Sequence, residues 1–184
     1  MNVTRHICTI QDLFEEWRAL GSRKLRSGVE LIGRMPVDDE IAWMHAVFPG
    51  CAAAALDEIE AGLGARMPKS LRAFYRCCGG MSLFLGAFHM HGHRSAGVHL
   101  GAAALQPEDL LELNHELDVL GWRQPNAVAF AVNSWDMSVH VAGMSPGYSI
   151  VRCERRTGEV IEHHDSVFSC IADRLYRLDQ MMLR

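Results

Sequence analysis

The chain has 184 residues, 49% of them hydrophobic and 22% charged, with a formal net charge of −4 and a pI near 6.2. That balance suits one globular domain with a sizeable core and supplies no bulk attraction to nucleic acid or an anionic membrane. No apolar run approaches the roughly 20 residues of a membrane helix. The opening Met1-Asn2-Val3-Thr4-Arg5-His6 lacks the apolar core of a signal peptide, so a cytoplasmic location is expected. Six cysteines (Cys8, Cys51, Cys77, Cys78, Cys153 and Cys170) are scattered without a C-x-x-C pair. This pattern fits reduced thiols better than a zinc ribbon or a disulfide framework.

In chain order, Ile10, Leu13, Phe14, Trp17 and Leu20 make one stripe and predict a helix over about residues 10 to 25. A local basic run follows (Arg18, Arg23, Lys24, Arg26, Arg34), read as a solvated helix end. Asp38-Asp39-Glu40 suits a helix N-terminus, and Ile41, Met44 and Phe48 fall on one face of the helix expected there, which Pro49-Gly50 stops. Residues 1–50 therefore read as a helical addition to a single domain spanning 1–184, because fifty residues rarely bury a core alone.

From Leu56 the signal sharpens. Leu56, Ile59 and Leu63 share a helical face, Gly62 and Gly64 can end that helix, and Pro68 suits the start of another. Leu71, Phe74, Tyr75 and Cys78 form the second helix's apolar stripe, with Lys69, Arg72 and Arg76 turned to water, and Gly79-Gly80 closes it. Ser82 to His91 predicts a strand. Leu110, Leu113 and Leu117 mark a helix begun at Pro107 and ended by Gly121-Trp122. The remainder reads as a meander: Val128 to Val132, Met137 to Val141, Ser149 to Cys153, and a hairpin through Thr157-Gly158 into Val160-Ile161. A last helix, Ser166 to about Met182, repeats Phe168, Ile171, Leu175, Leu178 and Met182.

Glu60, Leu63, Gly64, Pro68, Phe74, Tyr75, Gly79 and Gly80 together resemble the signature of the SUKH superfamily, the Smi- and Knr-like cell-wall assembly regulators and related bacterial immunity proteins. Met67 stands for the family's usual Leu and Cys78 for its usual Asn. Phe130-Ala131-Val132-Asn133, Asp136, Ser166 and Phe168 extend the resemblance over roughly residues 52–178, although Trp135 replaces a common glycine. The resemblance implies an α+β fold with an antiparallel sheet of about four to six strands, helices packed mainly on one side, and the N-terminal helices as an extra. It also implies a non-enzymatic protein-binding module, an immunity-type protein that neutralises a toxin, or a regulatory scaffold of the same fold. A protein partner, possibly a nuclease toxin domain, is then expected, with no cofactor, no nucleic acid and no membrane.

Two constellations bear on function. His89, His91 and His93 lie at i, i+2 and i+4, so three imidazoles on one strand face would suit a catalytic zinc or a metal sensor. Gly92 interrupts the run and no carboxylate lies within it, which favours solvated histidines at a strand end. His163-His164-Asp165 reads as a loop before a capped helix. Asp109, Glu112 and Glu116 share one helical face beside Glu108. They are either a solvated outer face or acidic groups matched to a toxin's cationic channel, acting with an exposed sheet rim around Trp135 and Asp136. Cys77-Cys78 is expected to stay reduced, and no catalytic motif is present in the sequence.

Overall fold

Hydrophobic spacing in the first fifty residues fits two periodicities, and the sheet decides between them. The computed structural model describes residues 14–37, 40–94, 106–124, 126–143 and 150–182. The expected helix over 10–25 is a single turn, α1 (Glu15–Arg18), ended at Gly21 with φ +113°; Ile10 and Leu13 lie outside the described residues. Phe14 is buried and Trp17 packs edge-on against His45 and Phe84, so the inner half of the predicted stripe does face the core. Beyond it the chain forms β1 (Ser22–Lys24), β2 (Glu30–Val37) and β3 (Glu40–Pro49).

The helix expected from Asp38 is thus corrected to a strand. Met44 and Phe48 are buried as the helical reading required. But Ile41, Trp43, Val47 and Phe48 are residue types that favour a pleated surface, and β2 supplies a partner from Glu30↔Val47 to Val37↔Glu40. Asp38 and Asp39 lie outside the described residues.

Two helices follow, α2 (Ala53–Leu63) and α3 (Lys69–Tyr75). Gly64 ends α2 at φ +64°, where its N–H donates to Ala61 O and that of Ala65 to Glu60 O. The Glu60 carboxylate accepts the Met67 N–H at 3.1 Å and pairs with Arg72 at 2.9 Å, so it joins the two helices at their corner. Arg72, expected to face water, is held by Glu60 and Asp57. Then β4 (Cys78–Leu83) begins. Both glycines are explained by close approach: a Cβ on Gly79 would collide with the Pro49 carbonyl, where β4 meets the end of β3, and one on Gly80, at φ +142°, with the Met90 carbonyl of β5.

The predicted strand Ser82–His91 is a hairpin, with β4 turning through Phe84–Ala87 into β5 (Phe88–Met90). Next come α4 (Leu110–Val119), β6 (Val128–Asn133), β7 (Val139–Ala142), β8 (Ile150–Cys153), β9 (Val160–His164) and α5 (Val167–Met182). His164, read as loop, closes β9, while Ser166 Oγ accepts the Ser169 N–H as the helix cap.

All nine strands pair antiparallel in chain order, β1 through β9, among the described residues. The α+β class holds; the strand number exceeds four to six because residues 22–49 add three strands and one expected strand is two. One face packs Leu56 and Ile59 of α2, Leu71, Phe74 and Tyr75 of α3, and Cys170, Ile171 and Leu175 of α5 on Met81, Leu83, Phe88, Met90 and Phe130. The other face, through Ala129, Val139, Val141, Val151 and Cys153, packs under Leu113 and Leu117 of α4 and under Trp122. A bulge at Phe130 in β6 shifts the register between Ala129 and Ala131, so Phe130 and Ala131 both reach the first core.

Candidate functional site

The β6–β7 turn carries the most exposed aromatic of the sheet's rim. Trp135 is 66% exposed and Met137 49%, and Leu85 on the neighbouring β4–β5 turn is 54% exposed. The two turns are joined: Ser134 N donates to Ala87 O at 3.0 Å and Ser134 Oγ to Gly86 O at 2.6 Å. Leu85 and Met137 both adopt φ +56°, a left-handed conformation that is uncommon for residues with a side chain. Such backbone is held only where surrounding bonds fix it.

Those bonds are present beneath the rim. Asn133 Nδ2 donates to Ser138 Oγ at 2.8 Å, and Asp136 Oδ1 accepts the Ser138 N–H at 2.9 Å. Arg152 donates to Ser138 Oγ, to Asp136 and to Glu162. Glu162 in turn accepts from Arg174 at 2.9 Å and Arg177 at 2.5 Å on α5. Burial pushes the Asp136 carboxyl up, but its bonds from Ser138 and Arg152 outweigh that and hold it below the usual range. Asp136 is therefore a buttress of the turn, while Trp135 is its presented side chain.

The acidic helix is more engaged than its spacing suggests. Asp109 is the N-cap of α4, accepting the Leu111 and Glu112 N–H groups. Glu116 pairs with Arg155 through both carboxylate oxygens, and Glu112 stays exposed. His91, Arg94, Glu108 and Arg155 line a shallow depression with these three residues, so its charge is mixed rather than purely acidic.

The histidine run separates. His91 Nε2 lies 3.1 Å and His89 Nδ1 3.6 Å from the two oxygens of Glu108, a carboxylate seventeen residues beyond His91, whereas His93 lies 3.7 Å from Glu58. The hydrogen bond from His91 holds the Glu108 carboxyl below the usual range. His91 is also fixed through its backbone, whose carbonyl accepts the buried Tyr75 hydroxyl at 2.5 Å. The three imidazoles thus serve two different carboxylates and do not converge.

Sequence reasoning missed Leu85 and Met137, because it treated residues 82–91 as one strand and Met137 as a strand residue. Adjacent turns come together only through the pairing of β5 with β6, Phe88↔Asn133. No family model matches the chain, and no curated protein matches it either. Among the described residues, no helix is long and apolar enough to cross a membrane.

Proposed function

We propose that this chain is a non-enzymatic protein-binding module of the immunity type, which neutralises a toxin domain by occluding it. The reading rests on the resemblance of residues 52–178 to the SUKH signature, and one observation of geometry supports it: Trp135 stands out on a buttressed turn. An aromatic held on a rigid turn loses little conformational freedom on binding, and such residues dominate interface energies. Leu85 and Met137 flank it, an apolar centre of the sort that partner surfaces place inside a polar rim. On the face of Asp109, Glu112 and Glu116, the exposed Glu112 adds negative charge that would speed encounter with a cationic nuclease toxin, while Asp109 caps α4 and Glu116 is paired with Arg155.

The regulatory-scaffold alternative shares this surface and differs only in its partner. A metal-dependent enzyme or sensor built on His89, His91 and His93 draws no support from side chains divided between Glu108 and Glu58. The test is co-expression with any toxin domain found encoded beside the gene, comparing the parent chain with Trp135→Ala. The parent protects growth and binds the purified toxin domain, and the variant, equally stable because Trp135 is exposed, loses at least about tenfold in affinity. Undiminished protection by Trp135→Ala would remove the rim from the reading. Absence of any binding by the parent would remove the immunity reading itself.

A further inference from the structure

Beneath the rim, three metal-ligating side chains from three elements meet in the core. His140 of β7, His164 of β9 and Cys170 of α5 are all buried, and one donor atom of each lies within 4.8 Å of the others. His140 is fully buried, with Nδ1 3.1 Å from Cys170 Sγ, and its ring packs against Phe88 at 5.5 Å between centroids. A protein interior seldom leaves buried polar atoms without partners. Yet His140 Nε2 and His164 Nε2 are both buried without a hydrogen bond. One thiol and two imidazoles, each ring with a nitrogen that lacks a partner, is a costly way to fill a buried space if nothing binds there.

We propose that His140, His164 and Cys170 form a structural zinc site that ties β7 and β9 to α5. The donor set of two nitrogens and one sulfur suits zinc, which structural sites hold four-coordinate. The three side chains supply three ligands and a water completes the set, because Glu162, with Oε2 3.9 Å from His164 Nε2, already serves Arg152, Arg174 and Arg177. Zinc bound to one thiolate retains a single positive charge, next to an Arg174 whose own partners are Asp173 at 2.5 Å and Glu162 at 2.9 Å.

An imidazole ligates in its neutral form and a cysteine as its thiolate. On binding, the sulfur–hydrogen bond is replaced by a sulfur–zinc bond and one proton passes to solvent; nothing is oxidised or reduced. Because the donors are enclosed, the ion enters as the chain folds, and the site is closed to substrate. This inference is independent of the toxin-binding reading and concerns the opposite end of the same polar network.

The experiment uses the full chain without a histidine tag, unfolded with chelator and refolded with or without one equivalent of Zn²⁺. Elemental analysis after gel filtration should find one zinc per chain, and the zinc-refolded protein should melt several degrees higher. Refolding with Co²⁺ should give a thiolate-to-cobalt charge-transfer band in the near ultraviolet, a signature that adventitious surface histidines cannot produce. Cys170→Ser should fold, lose that band and weaken zinc at least about tenfold, since even changes behind a ligand cost that much. The double variant His89→Ala/His91→Ala and the single variant Cys153→Ala should keep both zinc and band. Substoichiometric zinc, a cobalt spectrum without the sulfur band, or full zinc retention by Cys170→Ser would each overturn the site.

Discussion

Asn114→Ala isolates a single buried amide that holds α4 to the sheet. Asn114 is 1% exposed, and its Nδ2 donates to Ala129 O at 2.8 Å while its Oδ1 accepts the Ala129 N–H at 3.0 Å. Ala129 sits at the β6 bulge, and β5 has already ended at Met90, opposite Ala131. The side-chain amide therefore takes the place of a missing strand residue, satisfying one donor and one acceptor. Its third bond, to Leu110 O at 2.8 Å, is expendable because that carbonyl also belongs to the helix ladder. Truncation orphans two backbone groups on a fully buried residue, each at about 1–3 kcal/mol, so the loss should be about 2–6 kcal/mol. Against a domain stability of about 5–15 kcal/mol that is a large fraction. Urea unfolding followed by circular dichroism should show the midpoint falling by about 1–3 M at an unchanged slope. The Ala129 amide should exchange its hydrogen faster than its neighbours. Asn114→Asp keeps the acceptor but loses the donor and buries a charge, so it should be no less damaging. A loss below about 1 kcal/mol, with Ala129 exchange unchanged, would refute the amide's role as a strand substitute.

Phe74→Ala should cost about 3–5 kcal/mol because Phe74 is buried between α3 and the sheet, whereas Phe168, only partly buried, should cost clearly less; equal losses in paired chemical melts would contradict the packing. His45 is depressed to about 4 by burial among Phe14, Trp17 and Phe84, so the unfolded chain takes up its proton first. Its contribution is complete above about pH 6.5 and is lost as pH falls toward 4, up to about 3 kcal/mol; His45→Gln should flatten that part of a stability-versus-pH curve, and an unchanged slope would count against it. Glu112→Lys should leave stability within about 0.5 kcal/mol while slowing toxin association in low salt, whereas Glu116→Lys should also destabilise by breaking its pair with Arg155. Equal association rates for Glu112→Lys and parent at low salt would show that the helix charge is only a solvated face.

How much was legible follows from where the deciding information lies. The corner at Gly64 and Pro68 was legible because both residues act locally, one by accepting positive φ and one by lacking an N–H. The meander from Val128 to Ile161 was legible because alternation and turn residues recur at short range. The strand β3 was not, since Ile41, Met44 and Phe48 satisfy helical spacing and only pairing with β2 and β4 resolves the ambiguity. The histidine run looked devoid of a carboxylate for a related reason: Glu108 reaches His91 only because Gly92 and Glu108–Leu110 exchange backbone bonds. A Cβ on Gly92 would collide with the Gly79 carbonyl, so that approach needs glycine, yet nothing local in the sequence says so.

The same distinction bears on the rim. Trp135 was legible as an odd residue in a turn, but the turn that presents it depends on Arg152 and Glu162, sixteen or more residues downstream, which brace Asp136 from below. Arg152 reaches from the turn to β9, and Glu162 passes the connection to Arg174 and Arg177 on α5. The network is paid for in desolvated charge, because Arg152 and Arg174 are largely buried and breaking such a pair leaves the partner charge uncompensated. A fold that needed only stability would be served as well by apolar residues there. A fold that must hold a turn with left-handed Met137 and an outward Trp135 gains from directional bonds, which fix geometry as hydrophobic contact does not. Disrupting Glu162 should therefore loosen the turn before it unfolds the core, separating the presentation of Trp135 from the integrity of the sheet.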